Sequence, residues 1–184
     1  MLAGMKRHRR HIAFGVLALV AALPFAQSAA AGPVAPDVPA DIQVGAGNKV
    51  FLVGHAVGVQ VYSCNGAGAW TLVAPRADLY GDNGKLIATH FGGPTWQARD
   101  GSTVVASRDA GVTVDPTSIP WLRLKALPGS SDDGDGRLAG TTYIQRVATA
   151  GGLAPPASTC TAGGAGHSEE IPYTADYYFW KPTS

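Results

Sequence analysis

The chain has 184 residues, of which 46% are hydrophobic and 15% charged, with 14 Lys and Arg against 13 Asp and Glu. This near-neutral balance lacks the basic stripe of a nucleic-acid-binding domain and the polybasic patch that draws proteins to anionic lipid. Its length fits one domain with its own hydrophobic core once the N-terminal segment is removed.

The first 31 residues have the three-part layout of a signal peptide. A basic start at residues 6–10 precedes an apolar run over residues 12–25 and a small-residue stretch at 28–31. The run is shorter than the ~20 residues that a membrane span requires. We therefore predict cleavage after Ala31, a secreted protein, and no membrane span in the mature chain. Arg9-Arg10 leaves the twin-arginine export route open beside the general one.

Two segments follow the predicted signal peptide. Residues 32–48 are interpreted as an extended, Pro-rich lead-in because prolines recur through GPVAPDVPAD. From residue 49 to 184, turn signals recur at short intervals and no long 3.6-residue periodicity is present. This pattern predicts a single all-β domain, an antiparallel β-sandwich or a flattened barrel.

The predicted strands are short and separated by Gly, Pro, Asp and Asn. The segment 57–62 alternates, with Val57, Val59 and Val61 on one face. Asp100-Gly101 is typical of a type I′ hairpin. The predicted strands cover residues 49–53, 57–62, 70–73, 78–80, 85–89, 96–98, 103–105, 121–124, 141–148 and 175–180.

The chain contains two cysteines, Cys64 and Cys160. Two thiols without C-x-x-C spacing in an exported protein favour one disulfide, and two buried free thiols are the alternative. Such a bridge closes a loop of nearly 100 residues, for which chain entropy suggests a stabilisation of ~4–5 kcal/mol.

The segment THFGGPTWQ contains the main candidate site. Gly92-Gly93-Pro94 predicts an abrupt turn between His90 and Trp96. If this turn rims a groove, His90 can act as an acid, a base or a ligand, and Trp96 can stack on a sugar or another flat molecule. Alternatively, His90 closes a strand through one backbone hydrogen bond while Trp96 fills the core.

Metal and cofactor motifs are incomplete. Ser131–Gly136 resembles a calcium loop, but Thr142 stands where the pattern needs Glu, so we interpret the segment as an acidic surface loop. Gly134-x-Gly136-x-x-Ala139 resembles a dinucleotide fingerprint, but a β-like run follows where a helix is needed. No two of the histidines after residue 31 are spaced as a metal pair. We predict no metal and no cofactor, and we exclude an NAD-dependent dehydrogenase.

Gln145 and Arg146 lie next to each other in an otherwise hydrophobic predicted strand. One of the two must face away from the core or find polar partners. A buried Arg146 would require an acid, for which Asp100 and Asp176 are the candidates.

Five blocks in order make the chain resemble a known family: GVQVYSC, HFGGPTWQARDGS, IPWLRL, TYIQRVATAGGLAP and IPYTADYYFW. They resemble the secreted bacterial and fungal domain-of-unknown-function family 3455 (DUF3455), from about residue 36 to 181. The resemblance implies an exported, single β-rich domain and is consistent with a Cys64–Cys160 pairing. It implies no activity, substrate or catalytic residue.

Three functions are compatible with these observations. The first is non-catalytic binding of a ligand such as a cell-wall or environmental glycan, by His90, Gly92, Gly93, Pro94 and Trp96, with Trp121 and Tyr173 as further aromatic candidates. The second is a secreted hydrolase that uses His90 with Asp100 or Asp176. The third is a structural or protective role without a small ligand. We favour the first, in a monomeric protein without a nucleic-acid partner.

Overall fold

The computed structural model describes residues 32–131 and 134–183. The predicted signal peptide, residues 1–31, lies outside the described residues, as do Asp132 and Asp133 of the acidic loop. The strands are β1 (Asn48–Cys64), β2 (Trp70–Tyr80), β3 (Leu86–Phe91), β4 (Thr95–Ala98), β5 (Thr103–Val112), β6 (Trp121–Ala126), β7 (Tyr143–Gly151) and β8 (Ser168–Pro182). Single turns of 3-10 helix occupy Ala40–Ile42, Ala157–Thr159 and Ala162–Gly164.

Each strand pairs antiparallel with the next in the chain, and β8 returns to pair with β1, so the sheet closes into a barrel. Closure pairs both sides of every strand and removes the exposed edges of an open sheet. The predicted all-β class is confirmed, with a closed barrel rather than two stacked sheets. No helix in the described part of the chain is both long and apolar enough to cross a membrane.

Two pairs of predicted strands are single long strands. Residues 49–53 and 57–62 both belong to β1, and residues 70–73 and 78–80 both belong to β2. Within β1, Gly58 permits close contact with β2. A Cβ atom at Gly58 would lie 2.2 Å from the Arg76 carbonyl oxygen. Glycine in a strand often marks such a close backbone approach.

The faces of β1 are assigned by its pairing within the barrel. Val57, Val59 and Val61 share one face as predicted, and it is the outer one, with Val57 59% exposed. The inner face of the same segment carries Gln60 and Tyr62, which are both buried. The interior of the barrel is therefore polar near the C-terminal end of β1.

The remainder of the interior is a hydrophobic core. Trp96 and Phe179 meet there edge to face, with ring centroids 6.2 Å apart. The large, fully buried apolar members of the core are Leu79, Trp96, Val104, Leu138, Ile144, Tyr177 and Phe179.

The lead-in is attached to the outside of the barrel. Residues 32–39 have no regular structure, and the turn Ala40–Ile42 then buries Ile42 completely. Gln145, on the face of β7 opposite the core residue Ile144, donates to the Ile42 carbonyl at 2.7 Å. The amide oxygen Oε1 of Gln145 accepts from the Trp180 indole N–H at 2.9 Å. Gln145 is thus fully buried with partners at both ends of its amide.

The predicted disulfide between Cys64 and Cys160 is confirmed, with an S–S distance of 2.01 Å. It joins the last residue of β1 to the connection between β7 and β8. The two cysteines are 96 positions apart in sequence, so the bridge closes most of the barrel into one covalent loop.

Candidate functional site: a cavity inside the barrel

One end of the barrel encloses a cavity of about 300 Å³. At this end β1, β3, β5 and β7 finish and β2, β4, β6 and β8 begin. Its apolar walls come from Leu72, Pro75, Pro94, Ile119, Pro120, Leu122 and Leu124. Its polar and aromatic lining consists of Gln60, Tyr62, His90, Trp96, Arg108, Arg146 and Tyr177. The lining contains two arginines and no Asp or Glu.

The Gly-Gly-Pro turn joins β3 to β4 and sets His90 opposite Trp96 in the register. Gly93 has φ +74°, a conformation that side chains with a Cβ rarely adopt. The Thr95 hydroxyl donates to the carbonyls of Gly92 and Gly93, at 3.1 Å each, and thereby holds the turn. The local sequence therefore fixes where His90 and Trp96 enter the barrel.

His90 is a neutral, buried imidazole. Its Nδ1 lies 2.9 Å from the Thr95 carbonyl oxygen, which can only accept, so Nδ1 carries the proton. Burial lowers the pKa of His90 to about 4, and the charge of Arg146 lowers this pKa further while the Thr95 hydrogen bond opposes the change. Its Nε2 is therefore a lone-pair acceptor at neutral pH.

The predicted pairing of His90 with an acid is wrong. Asp176 lies on β8 and binds the Nδ1 of His55 at 2.7 Å, while Asp82 binds the Nε2 of the same ring at 2.9 Å. Asp100 accepts from the Ser102 hydroxyl and from the Arg137 backbone N–H. Both candidate acids are thus engaged elsewhere, and His90 lacks the orienting carboxylate of a catalytic pair.

Two buried side-chain donors around the cavity have no hydrogen-bond partner among the described residues. They are the amide Nε2 of Gln60 and the indole Nε1 of Trp96. Gln60 is 1% exposed and Trp96 is fully buried. An unpaired buried donor costs ~1–3 kcal/mol, so most such groups in folded proteins are satisfied. The two residues that carry these donors both line the cavity.

Arg146 faces the cavity without the acid that the sequence led us to expect. Its Nε and Nη2 both donate to the Pro120 carbonyl oxygen, at 3.2 and 2.9 Å. Neither Asp100 nor Asp176 forms an ion pair with it, so the predicted carboxylate pairing is wrong. The Pro120 carbonyl is a neutral acceptor, so within the described residues the Arg146 guanidinium is hydrogen-bonded but has no anionic partner.

The tyrosines around the cavity are held by one another and by the backbone. The hydroxyls of Tyr173 and Tyr177 lie 3.3 Å apart, and the Tyr62 hydroxyl donates to the Gly152 carbonyl at 2.8 Å. Burial raises the pKa of Tyr177, which therefore stays neutral at physiological pH. These rings contribute shape and apolar surface rather than charge.

The sequence-predicted site residues are only partly brought together. His90, Pro94 and Trp96 line the cavity, while Gly92 and Gly93 belong to the turn behind it. Tyr173 lies outside the lining and contacts Tyr177. Trp121 begins β6 on the face opposite the lining residues Leu122 and Leu124, and it does not line the cavity.

Trp96 does not offer an open stacking platform for a sugar. The side chain is fully buried, the His90 ring stacks on one face with centroids 4.1 Å apart, and Phe179 and Tyr177 contact it edge to face. Of the two alternatives for this turn, the structure has the second: Trp96 fills the core, and His90 forms one backbone hydrogen bond.

Sequence reasoning missed Gln60, Tyr62, Arg108 and Tyr177 as lining residues. Gln60 and Tyr62 alternate with valines, and we did not assign that polar face to the interior. No group of three His, Cys, Asp or Glu side chains in residues 32–131 and 134–183 is arranged to hold a metal ion.

Together, the fold and the cavity define a closed antiparallel barrel with an internal, mostly apolar chamber. The chain belongs to the family described as protein of unknown function (DUF3455), whose model matches residues 45–181. A search of the curated proteins and a search of the solved structures find no match to the chain.

Proposed function

We propose that this protein is a secreted binding protein that holds a small, largely apolar molecule inside its barrel without transforming it. The observation that carries the proposal is the pair of unpartnered buried donors, Gln60 Nε2 and Trp96 Nε1, in the lining of one cavity. Mostly apolar pockets with a few placed polar groups are the usual form of small-molecule sites.

The dimensions of the cavity support a small ligand. Its volume of about 300 Å³ is at the lower end of the range for ligand pockets. At ~30 Å³ per water-sized group, this space accepts roughly ten non-hydrogen atoms. A glycan chain exceeds that volume, and a single sugar would bring more hydroxyl groups than this lining can pair. The cavity therefore favours an apolar body over the glycan expected from the sequence.

Binding is a better account of the cavity than hydrolysis. A hydrolase needs a base that is oriented by a further group and stands beside a nucleophile. His90 is bonded to a backbone carbonyl, and the lining contains neither a carboxylate nor a Ser, Thr or Cys nucleophile. The disulfide agrees with an oxidising compartment outside the cytosol, which is where the predicted signal peptide would deliver the protein.

Thermal unfolding of the oxidised protein tests the proposal with octanamide, octanoate and 3-phenylpropanamide as probes. A ligand that binds only the folded state stabilises it by ~2.7 kcal/mol at a hundredfold excess over Kd. We expect at least one probe to raise the Tm saturably. Leu122→Trp, which fills the cavity from its wall, is expected to abolish the shift, while the matched outward-facing Val59→Trp keeps it. A Tm unmoved by all three probes, or shifted equally in both variants, contradicts the proposal.

A further inference from the structure

We propose that the molecule held in the barrel is a monoanion whose carboxylate binds Arg146, with Arg108 adding positive charge at the mouth of the cavity. This inference rests on the proposed function and specifies its ligand class, an apolar body of roughly ten non-hydrogen atoms with one acidic head.

The first observation is the charge balance of the cavity. Arg108 and Arg146 both line it, and no Asp or Glu does. Two arginines outside this cavity do have acid partners: Arg76 pairs with Glu170 and Arg123 pairs with Asp109, each at 2.7 Å. After residue 31 the chain has ten Lys and Arg against thirteen Asp and Glu, and none of the acids in residues 32–131 and 134–183 lines this cavity.

The second observation is the state of Arg146 itself. Within the described residues its hydrogen-bond partners are the Pro120 carbonyl, which receives two of its nitrogens, and the Tyr177 hydroxyl, and neither is an anion. A guanidinium has five N–H donors in a planar fork, a geometry that matches a carboxylate. Arg146 is half-buried, and a cation that is partly removed from water is stabilised by a nearby carboxylate.

The third observation is that hydrogen-bond donors predominate over the one lone-pair acceptor, His90 Nε2, among the polar groups described around the cavity. Gln60 Nε2 and Trp96 Nε1 are donors, as is the guanidinium of Arg146. An ionised carboxylate accepts hydrogen bonds and donates none. A neutral amide or alcohol would bring donors of its own into a lining already rich in them, so the donor excess favours the acid.

The exposed Arg108 side chain lies over Gly111, beside the cavity wall. A Cβ atom at Gly111 would lie 2.6 Å from Arg108 Nη2 and 2.7 Å from Leu122 Cδ2, which is too close for either contact. Glycine at this position therefore lets the Arg108 side chain pack across β5 next to Leu122, a residue of the lining. Arg108 has no ion pair among the residues that the structure describes, and its charge is available at the mouth.

Calorimetric titration at pH 7 with octanoate and its neutral near-isostere octanamide tests this inference. We expect wild-type protein to prefer octanoate by about tenfold to a hundredfold, the usual range for a hydrogen bond to a charged group. Arg146→Gln is expected to weaken octanoate binding more than octanamide binding, so that the preference for the acid is lost. Arg123→Gln, a matched change at an outward arginine, is expected to leave the preference intact.

The outcomes separate the two proposals. Equal affinity of wild-type protein for octanoate and octanamide overturns the acidic head group and leaves apolar binding in the barrel standing. If the protein binds none of octanoate, octanamide, 3-phenylpropanoate and 3-phenylpropanamide, both the acidic head group and apolar binding in the barrel are overturned. Comparing octanoate and its amide with 3-phenylpropanoate and its amide also shows whether the cavity prefers an aliphatic or an aromatic acid. If Arg146→Gln does not fold, the comparison of octanoate with octanamide on the wild-type protein tests the acidic head group. Arg108→Gln, at an exposed position, then tests the contribution of the second arginine. An unchanged preference for octanoate in Arg108→Gln overturns the role of Arg108.

Discussion

The imidazole of His90 lies flat against the indole of Trp96, with ring centroids 4.1 Å apart and planes only 7° apart. Tyr177 closes the group edge-on, 5.3 Å from the first ring and 5.5 Å from the second. This packing leaves His90 4% exposed in apolar surroundings. The stack explains both how the barrel end is built and why its histidine stays uncharged.

His90 makes the folded state sensitive to mild acid. Its pKa is about 4 in the folded protein and 6.5 in the unfolded chain, so between these values only the unfolded chain takes up the proton. Stability attributable to His90 is therefore complete above pH 6.5 and falls as the pH drops toward 4, by on the order of 3 kcal/mol. The difference in unfolding free energy between wild type and His90→Phe, measured by urea titration across this range, is expected to fall by that amount.

His55 acts in the opposite sense, because its contacts with Asp82 and Asp176 raise its pKa. It is present in both proteins and cancels in the difference between wild type and His90→Phe. A His90 ring that titrates near 6.5 by NMR in the folded protein would contradict the prediction.

Gln60 and Gln145 are both fully buried, but only one of them is satisfied. Gln60→Leu removes an unpaired amide nitrogen, so we expect the free energy of unfolding to stay level or rise by up to ~1 kcal/mol, with loss of ligand binding. Gln145→Leu instead leaves the Ile42 carbonyl and the Trp180 indole without partners and is expected to cost ~2–4 kcal/mol. Urea unfolding of both variants provides the comparison. Equal destabilisation would mean that Gln60 has a structural partner.

The sequence predicts the strand content well and the direction of some side chains poorly. The residue patterns predicted a strand segment within each of the eight observed strands. The disulfide was predicted because the chain has two cysteines and a signal-peptide pattern. Alternation alone does not say which face is inside. Val57, Val59 and Val61 form the apolar face of this segment. Because β1 pairs with β2 and β8 in the closed barrel, that face points outward, and Gln60 and Tyr62 point inward.

The candidate site was predictable only where its residues lie close together in the sequence. His90 and Trp96 were found because a Gly-Gly-Pro turn fixes their positions within a few residues. A buried Arg146 was expected to need an acid partner, but Asp176 binds His55 and Arg146 instead donates to the Pro120 carbonyl. Contacts of this kind join residues far apart in the chain, and only the closed barrel specifies them.

Loss of the Cys64–Cys160 bridge is expected to lower the free energy of unfolding by about 4–5 kcal/mol, because the unfolded chain gains the freedom of a loop of nearly 100 residues. The double variant Cys64→Ala/Cys160→Ala and the reduced wild-type protein should lose similar amounts in urea titrations. The slope of unfolding against urea should also increase, since the unfolded chain becomes more exposed. An unchanged midpoint after complete reduction would show that the bridge does not contribute to stability.

Gly58 is required by the closeness of β1 and β2. Gly58→Ala would place a Cβ atom 2.2 Å from the Arg76 carbonyl oxygen and 2.4 Å from the Ala77 Cβ, so the strands must separate. We expect a loss of ~1–3 kcal/mol or more. The control Gly45→Ala, which meets no atom within 4 Å, should change the unfolding free energy by less than ~0.5 kcal/mol. Thermal or urea unfolding measures both, and equal effects would contradict the close approach at Gly58.

The central claim is that the barrel interior binds a small acid, and the indole N–H of Trp96 is its most direct reporter because it is buried and unpartnered. We would follow that resonance in ¹H–¹⁵N NMR spectra during titration with octanoate, assigning it with Trp96→Phe. The account predicts a saturable shift of the Trp96 indole signal together with the Gln60 side-chain amide. Shifts confined to the indoles of Trp70 and Trp121, with Trp96 and Gln60 unchanged, would place octanoate outside the barrel and contradict the claim.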